Sequence, residues 1–204
     1  MRRTAALLAC LALPAQAQDA LQVAPVFSQI VAFPLPEGFA PVLEDANEAG
    51  YLNESVLAGE SVQDWTQMVT LSGSKGLVSG DPANDAATMA AYLGKLYSDA
   101  CPEGYAESSF DPPQIVGARA VHAGYLSCAS LPDHPQSESM VFLVLVGAGD
   151  IYTLQWAEHA AASATPIPYA PQVWDGRLTL LAATARLCDP VAGEGPPYPS
   201  RIGT

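Results

Sequence analysis

Few residues in this chain have the types and the spacing that catalysis requires. Ser72 and Lys75 form a Ser-x-x-Lys pattern, which supplies a nucleophile and a base in serine acyl-enzymes. Those enzymes also carry Ser-x-Asn and Lys-Thr-Gly motifs downstream, and neither motif occurs in this sequence. We therefore interpret residues 72–76 as a glycine-serine turn that follows a strand.

The histidines are the next candidates, as general bases or as metal ligands. His122, His134 and His159 do not form a His-x-x-x-His pair, and the chain has no Cys-x-x-Cys pair, so a zinc site is not predicted. We expect His134 to lie in a loop and His122 to be a half-buried residue of a strand. A general base made of His122 or His159 beside a carboxylate stays open as the alternative hypothesis of a hydrolase.

Carboxylates and aromatic residues give weaker signals. Asp81, Asn84 and Asp85 could suggest calcium, but the glycine and distal glutamate of an EF-hand loop are missing, and helix capping explains these residues. A glycosidase needs two carboxylates that face each other across a cleft. Because the chain has 21 acidic residues, some such pair is expected in any fold and would not identify a glycosidase. We therefore predict no catalytic, cofactor-binding or metal-binding residue.

Three aromatic residues of the predicted strands could line an apolar groove: Trp65, Tyr152 and Trp156. Aromatic strand residues usually fill a core, so core packing is the expected role of all three.

Residues 1–17 predict a removable secretory signal peptide. Arg2 and Arg3 are its basic region, Ala5–Leu13 is its apolar region, and a small-x-small site predicts cleavage after Ala17. The apolar region is too short to span a bilayer, which takes about 20 residues. The predicted location is therefore the periplasm.

Two other export routes are weighed against this one. The string Leu7–Cys10 resembles a lipoprotein box, but only six residues separate Arg3 from Cys10, which leaves a cramped apolar region. The pair Arg2-Arg3 suggests twin-arginine export, but no Phe-Leu-Lys-like continuation follows. The ordinary secretory route is favoured.

The charge of the chain excludes two classes of partner. The formal net charge is −13, whereas nucleic acid and anionic lipid both select proteins rich in lysine and arginine. The longest apolar run after residue 17 is Met140–Gly147, so no stable membrane insertion is predicted. The expected partner is an envelope protein or a small molecule, with no cofactor, and the oligomeric state is not predicted.

Three cysteines remain after cleavage: Cys101, Cys128 and Cys188. An odd number of cysteines in an oxidising compartment predicts one disulfide and one free thiol. Each of the three pairings is conceivable, and we favour Cys101–Cys128, because Cys101 should follow a helix and Cys128 should end a strand. Cys188 should end a helix, where the helix dipole opposes a thiolate, so we expect an inert thiol.

Periodicity predicts seven strands and two helices. The strands are Phe39–Leu43, Tyr51–Ala58, Gln63–Leu71, Tyr105–Phe110, Arg119–Ser127, Met140–Val146 and Ile151–Trp156. One helix begins with Asp81 as N-cap and Pro82, and ends before Pro102. Asp175 should cap the other, whose apolar stripe runs to Cys188.

This order of elements predicts an α+β fold, a mostly antiparallel sheet with two packing helices. Residues 18–190 should form a single domain, and residues 191–204 should form a flexible tail.

Several strings, in this order and spacing, resemble a family of uncharacterised secreted proteobacterial proteins, with coverage from about residue 33 to 190. The strings are Glu60-Ser61-Val62-x-x-Trp65-Thr66-Gln67-Met68-Val69-Thr70, Ala100-Cys101-Pro102, Gly147-x-Gly149-Asp150-x-Tyr152-x-x-Gln155-Trp156 and Leu187-Cys188-Asp189. The family has no established activity, so it implies no functional residue. The element order is also similar to the PsbP-like sandwich, which implies a binding or assembly role. The leading hypothesis is a non-catalytic binding or assembly module of the envelope.

Overall fold

The computed structural model describes residues 20–101, 104–131 and 135–202. The predicted signal peptide, its cleavage site after Ala17 and His134 lie outside these residues. The strands are β1 (Ala20–Val26), β2 (Gln29–Leu35), β3 (Phe39–Ala46), β4 (Gly50–Leu57), β5 (Gln67–Ser74), β6 (Tyr105–Phe110), β7 (Ala120–Cys128), β8 (Gln136–Val146), β9 (Ile151–Ala161) and β10 (Arg186–Cys188). The helices are α1 (Pro82–Ala100), α2 (Pro171–Ala183) and α3 (Pro199–Ile202).

The strands form two antiparallel sheets. The large sheet has the order β3-β4-β5-β9-β8-β7-β6, and the small sheet has the order β1-β2-β10. The hairpin β8–β9 lies near the centre of the large sheet, where Met140 to Val146 are all buried on both faces. The predicted α+β fold with a mostly antiparallel sheet is confirmed.

Helices cover both faces of the large sheet. On one face, α1 packs against β6, β7 and β8, with Ala86 and Ala90 buried beside Phe142 and Val144. On the other face, α2 and the small sheet bury a second core that includes Trp174. Because α1 lies over one half of the sheet only, none of the helices in the described part of the chain covers β4 and β5 on that face.

The N-terminal strands β1 and β2 were not predicted, because Pro25, Pro34 and Pro36 indicate an irregular segment. Pro25 lies on the edge strand β1, and β10 pairs only with Ile30, Val31 and Ala32 of β2. At Pro34, therefore, β2 has β1 as its single neighbouring strand. The backbone N–H that proline lacks is not required there for pairing with a strand on the other side.

The second helix differs from its prediction. It begins at Pro171, which suits the first helical position, rather than being capped by Asp175. It ends at Ala183, and Arg186–Cys188 pairs with β2 as a strand. The predicted position of Cys188 at a helix end is therefore wrong. Burial nevertheless raises the pKa of the Cys188 thiol, which opposes a reactive thiolate.

β5 is shifted relative to its prediction: it begins at Gln67 instead of Gln63 and ends at Ser74 instead of Leu71. A close contact between the two sheets accounts for the glycine within it. Ser72 and Gly73 belong to the strand instead of the predicted turn. A Cβ atom at Gly73 would lie 2.8 Å from Cγ1 of Val26 on β1, so the approach of the small sheet requires glycine.

Cys101 follows α1 and Cys128 ends β7, as predicted. Their sulfur atoms lie 2.14 Å apart, at disulfide distance, and Cys188 is free. We predicted a flexible segment from residue 191. Over residues 191–202 the structure shows turns and α3, and Tyr198 is buried against Ile30 and Ala32.

Candidate functional site

The half of the large sheet that α1 leaves uncovered forms one side of a groove. Two cavities of about 400 and 450 Å³ follow one another along α1 and β5. The larger lies beside the helix start and the smaller beside its last turns. We call the two cavities together the α1–β5 groove. The smaller cavity is lined by Leu52, Glu54, Val62, Trp65, Met68, Thr70, Ser72, Leu93, Leu96, Tyr97, Glu138, Met140 and Gln155. The larger cavity is lined by Ser74, Leu77, Asp85, Thr88, Met89, Tyr92 and Ile151.

The helix wall of the groove is apolar and partly exposed. Met89, Tyr92, Leu93 and Leu96 recur at three- and four-residue spacing, so they share one side of α1. Tyr92 is 56% exposed and Leu96 is 47% exposed. The apolar stripe of α1 is thus wider than the part of the helix surface that packs against the sheet. Exposed apolar residues that adjoin each other in a groove are typical of a binding surface.

The middle of the groove floor is polar, between the apolar side chains of Leu52, Met68 and Met140. Glu54, Thr70 and Gln155 are paired directly across β4, β5 and β9, so their side chains form one row. Beside them, the Ser72 and Thr153 hydroxyl oxygens lie 2.7 Å apart in a hydrogen bond. Burial raises the pKa of the Glu54 carboxyl, and no described residue donates a hydrogen bond to it. The Ser72 hydroxyl is thus hydrogen-bonded to Thr153 and has no described contact with Lys75.

The end of the groove near β8 is held by four side chains. Glu138 and His159 are a cross-strand pair, with 2.8 Å between Oε2 and Nε2. The His159 ring stacks on Trp65 at 3.6 Å between centroids, and its Nδ1 lies 3.2 Å from the Trp65 carbonyl oxygen. The Tyr97 hydroxyl donates to the other oxygen of Glu138. Burial, together with the Glu138 charge, places the pKa of Tyr97 well above its usual range.

These contacts determine what His159 can do. The Trp65 carbonyl can only accept, so Nδ1 carries a proton. Nε2 shares a proton with the Glu138 carboxyl, whichever of the two atoms holds it. Neither ring nitrogen therefore presents a free lone pair to the groove, which a general base must do. The arrangement fixes the Trp65 segment in place and does not activate a nucleophile.

His122 lies elsewhere, on β7. Its Nε2 is 3.4 Å from the Ser109 hydroxyl oxygen, and burial lowers its pKa. Among the described residues no carboxylate contacts the His122 ring, so the carboxylate-histidine pair of the hydrolase hypothesis is not assembled there. The two histidines are not brought into one site.

The remaining candidates have structural roles. Asp81 accepts a hydrogen bond from the Asn84 backbone N–H, and Asp85 accepts from Ser79, so they organise the start of α1. No cluster of three potential metal ligands occurs within residues 20–101, 104–131 and 135–202. In the same ranges, no helix is long and apolar enough to cross a membrane.

The aromatic residues divide between core and groove. Tyr152 and Trp156 are buried in the core beneath the small sheet and α2, as predicted. Trp65 is half-buried: it packs against the core on the α1 face and also lines the groove, so its predicted core role is confirmed only in part. Trp65 lies in the segment before β5, on the face that α1 leaves uncovered, where its neighbour is His159.

We expect His159→Ala to lower the free energy of unfolding by about 1–2 kcal/mol, because a ring stack and two hydrogen bonds are lost. Trp65 should also become more accessible to acrylamide, as measured by fluorescence quenching. His122→Ala is the matched control and should leave the quenching unchanged. Equal quenching of Trp65 in wild-type protein and His159→Ala would contradict the stacked arrangement.

Comparison with known proteins gives fold-level similarity only. No protein-family model and no curated protein sequence matches the chain. Among solved structures, Mog1p of Saccharomyces cerevisiae, described as a Ran-binding protein, is similar with a TM-score of 0.44 and 9% identity, over 71% of this chain and 79% of that chain. Cyanobacterial PsbP (CyanoP) of Synechocystis sp. PCC 6803 has a TM-score of 0.45 and 10% identity, over 86% and 97%. At these values nothing about ligand, partner or compartment follows.

Proposed function

We propose that this protein is a secreted, non-catalytic binding or assembly module of the periplasm, and that the α1–β5 groove is its binding site. The observation that carries the proposal is the uncovered apolar stripe of α1, with Tyr92 and Leu96 exposed beside a polar strand floor. A helix face that no part of the described fold covers, next to a groove, suits a ligand or a partner segment.

Secretion and single-domain organisation are parts of the same proposal. The pattern in residues 1–17 supports export, and disulfide distance between Cys101 and Cys128 suits an oxidising compartment. We further propose that residues 18–190 act as one domain, in the family of secreted proteobacterial proteins that the strings around Trp65 and Asp150 resemble.

The hydrogen bonds of the groove favour binding over hydrolysis. Both nitrogens of His159 are engaged, and the Glu138 carboxyl is held by His159 and Tyr97. Removal of a substrate proton would first require these bonds to break. A rigid polar cluster beside an apolar groove instead positions a surface for recognition.

The experiment fills the groove with a side chain. Thr70 is a half-buried floor residue, and Thr70→Trp should occupy the 400 Å³ cavity while keeping the strand propensity of β5. Native mass spectrometry of protein purified from the periplasm should detect a bound species with the wild type. Thr70→Trp should bind that species at least tenfold more weakly, since a loss of about 1.4 kcal/mol of binding free energy has that effect.

The matched control is Thr179→Trp, which makes the same change on the exposed side of α2, across the sheet. It should bind as the wild type does. A bound species retained by Thr70→Trp would place binding outside the groove and refute the site. Turnover of an envelope substrate that is lost in His122→Ala or His159→Ala, while the variant stays folded under the assay conditions, would replace the proposal with the hydrolase alternative.

A further inference from the structure

We propose that the occupant of the α1–β5 groove is an extended peptide segment of another protein, whose lysine or arginine side chain pairs with Glu54. This inference rests on the proposed function and specifies the ligand of the same site. It follows from the shape of the groove and from the distribution of charge around it.

The shape of the groove fits an extended chain. On β5, Met68 lines one end of the floor and Ser74 the other, and the six residue-to-residue steps between them span about 20 Å of strand. An extended peptide of about six residues has this length. The helix α1 bounds the groove along its whole length. Every second side chain of an extended peptide could contact the apolar side chains of α1. The Thr70 and Gln155 side chains on the floor offer hydrogen bonds to such a peptide.

The charge of the groove selects a cation. Two carboxylates line the smaller cavity, and Glu138 is already held by His159 and Tyr97. Glu54 is the carboxylate without a described partner, and burial raises its pKa, because water solvates its charge poorly. A lysine or arginine side chain of a ligand beside Glu54 would stabilise the negative charge of the carboxylate in place of the missing water.

No positively charged side chain among the described residues competes for Glu54. Within the described residues, neither lysine nor arginine lines the groove, and the one lysine on α1, Lys95, is paired with Asp99 at 2.7 Å. The acidic chain as a whole, with a net charge of −13, attracts the same kind of segment and repels an acidic one.

The experiment uses two synthetic hexapeptides with blocked ends, one of alternating leucine and lysine and one of alternating leucine and glutamate. Binding is followed by Trp65 fluorescence in full mature protein at about 0.15 M ionic strength, where nonspecific attraction is screened beyond about 8 Å. Trp156 and Trp174 are buried on the other face and give a constant background. The lysine peptide should change the Trp65 emission, and the glutamate peptide should not.

Substitution of Glu54 separates specific pairing from overall charge. Glu54→Gln removes the charge without changing the shape, and it should weaken binding of the lysine peptide about tenfold. The matched control is Asp111→Asn, which removes an exposed charge next to β6 and should leave the affinity within a factor of two. Because burial disfavours the charge of Glu54, Glu54→Gln should keep the stability of the wild type.

The peptide experiments test the class of ligand, and Thr70→Trp tests the position of the binding site, so the two conclusions can fail separately. Equal binding of both peptides, no binding of the lysine peptide, or equal affinity of wild type and Glu54→Gln overturns the cationic peptide. If Thr70→Trp still abolishes binding of the native species, the groove stands as a site for another ligand. If Thr70→Trp has no effect either, the proposed function itself fails.

Discussion

Asp150→Ala is expected to lower the free energy of unfolding by about 3–5 kcal/mol. The buried carboxylate accepts hydrogen bonds from the Ser28 hydroxyl at 2.6 Å, the Ser28 N–H at 3.3 Å and the Gly76 N–H at 2.8 Å. It thus joins the β1–β2 turn, the segment after β5 and the β8–β9 turn. A hydrogen bond to a charged group contributes about 1.5–3 kcal/mol, and alanine would leave buried donors unpaired. Urea unfolding measures the loss.

Acidification is a second readout of the same carboxylate. Burial alone would raise the pKa of Asp150, but the hydrogen bonds from Ser28 and Gly76 and the charge of Lys75 outweigh it, so the pKa lies below its usual value. The stabilisation is therefore complete above the unfolded pKa of about 4 and is lost as the pH falls through the folded pKa. The difference in stability between wild type and Asp150→Ala should shrink below about pH 4.

The control for both measurements is Asp111→Ala, an exposed aspartate whose removal should change stability by less than about 0.5 kcal/mol. A loss at Asp150 no larger than the loss at Asp111 would show that the three segments are held together by other contacts.

Replacement of Cys101 and Cys128 together by alanine is expected to lower the free energy of unfolding by about 3–4 kcal/mol. A cross-link between residues 27 positions apart restricts the unfolded chain, and the entropy model gives this magnitude. The bridge would also tie the end of α1, and with it the helix wall of the groove, to β7. Thermal or urea unfolding of oxidised protein measures the effect.

Cys188→Ala is the matched control, because Cys188 is a free cysteine on the short strand β10, and a change below about 1 kcal/mol is expected. Alkylation before and after reduction should detect one thiol and then three in the mature protein. Three reactive thiols before reduction would refute the bridge.

The parts of the fold that the sequence predicts are those with a strong local pattern. Met140–Val146 is an unbroken apolar run, and Ile151–Trp156 alternates, so β8 and β9 are predicted at the correct place. Both strands extend further than predicted, since polar residues such as Gln136 and His159 break the apolar pattern without breaking the hydrogen-bond ladder.

The small sheet has no such local pattern. Its central strand contains Pro34, which is tolerated only because β10 stops short of it. The strand β10 has three residues and follows α2 almost directly, so the apolar residues around Leu187 resemble a continued helical stripe. Pairing between segments so distant in the chain is a tertiary effect that local propensity does not contain.

The candidate site was missed because each of its apolar members, taken alone, has the pattern of a core residue. Leu96 continues the stripe of α1, and Trp65 is an aromatic residue near a strand. Only the position of α1 over β6–β8 shows that these residues face a groove. One signal was present: Thr153 and Gln155 alternate with apolar residues on β9, which indicates one polar face on a central strand.

The position of β2 also affects the order in which the chain can fold. Its neighbours are β1, which directly precedes it, and β10, which comes from residues 186–188. A chain that is still leaving a ribosome or a narrow pore has no β10 to offer, so the backbone of β2 has no partner on that edge until residues 186–188 have emerged. Closure of this sheet is a contact of high sequence separation, which forms late and slowly. Completion of the small sheet is therefore coupled to the arrival of residues 186–188.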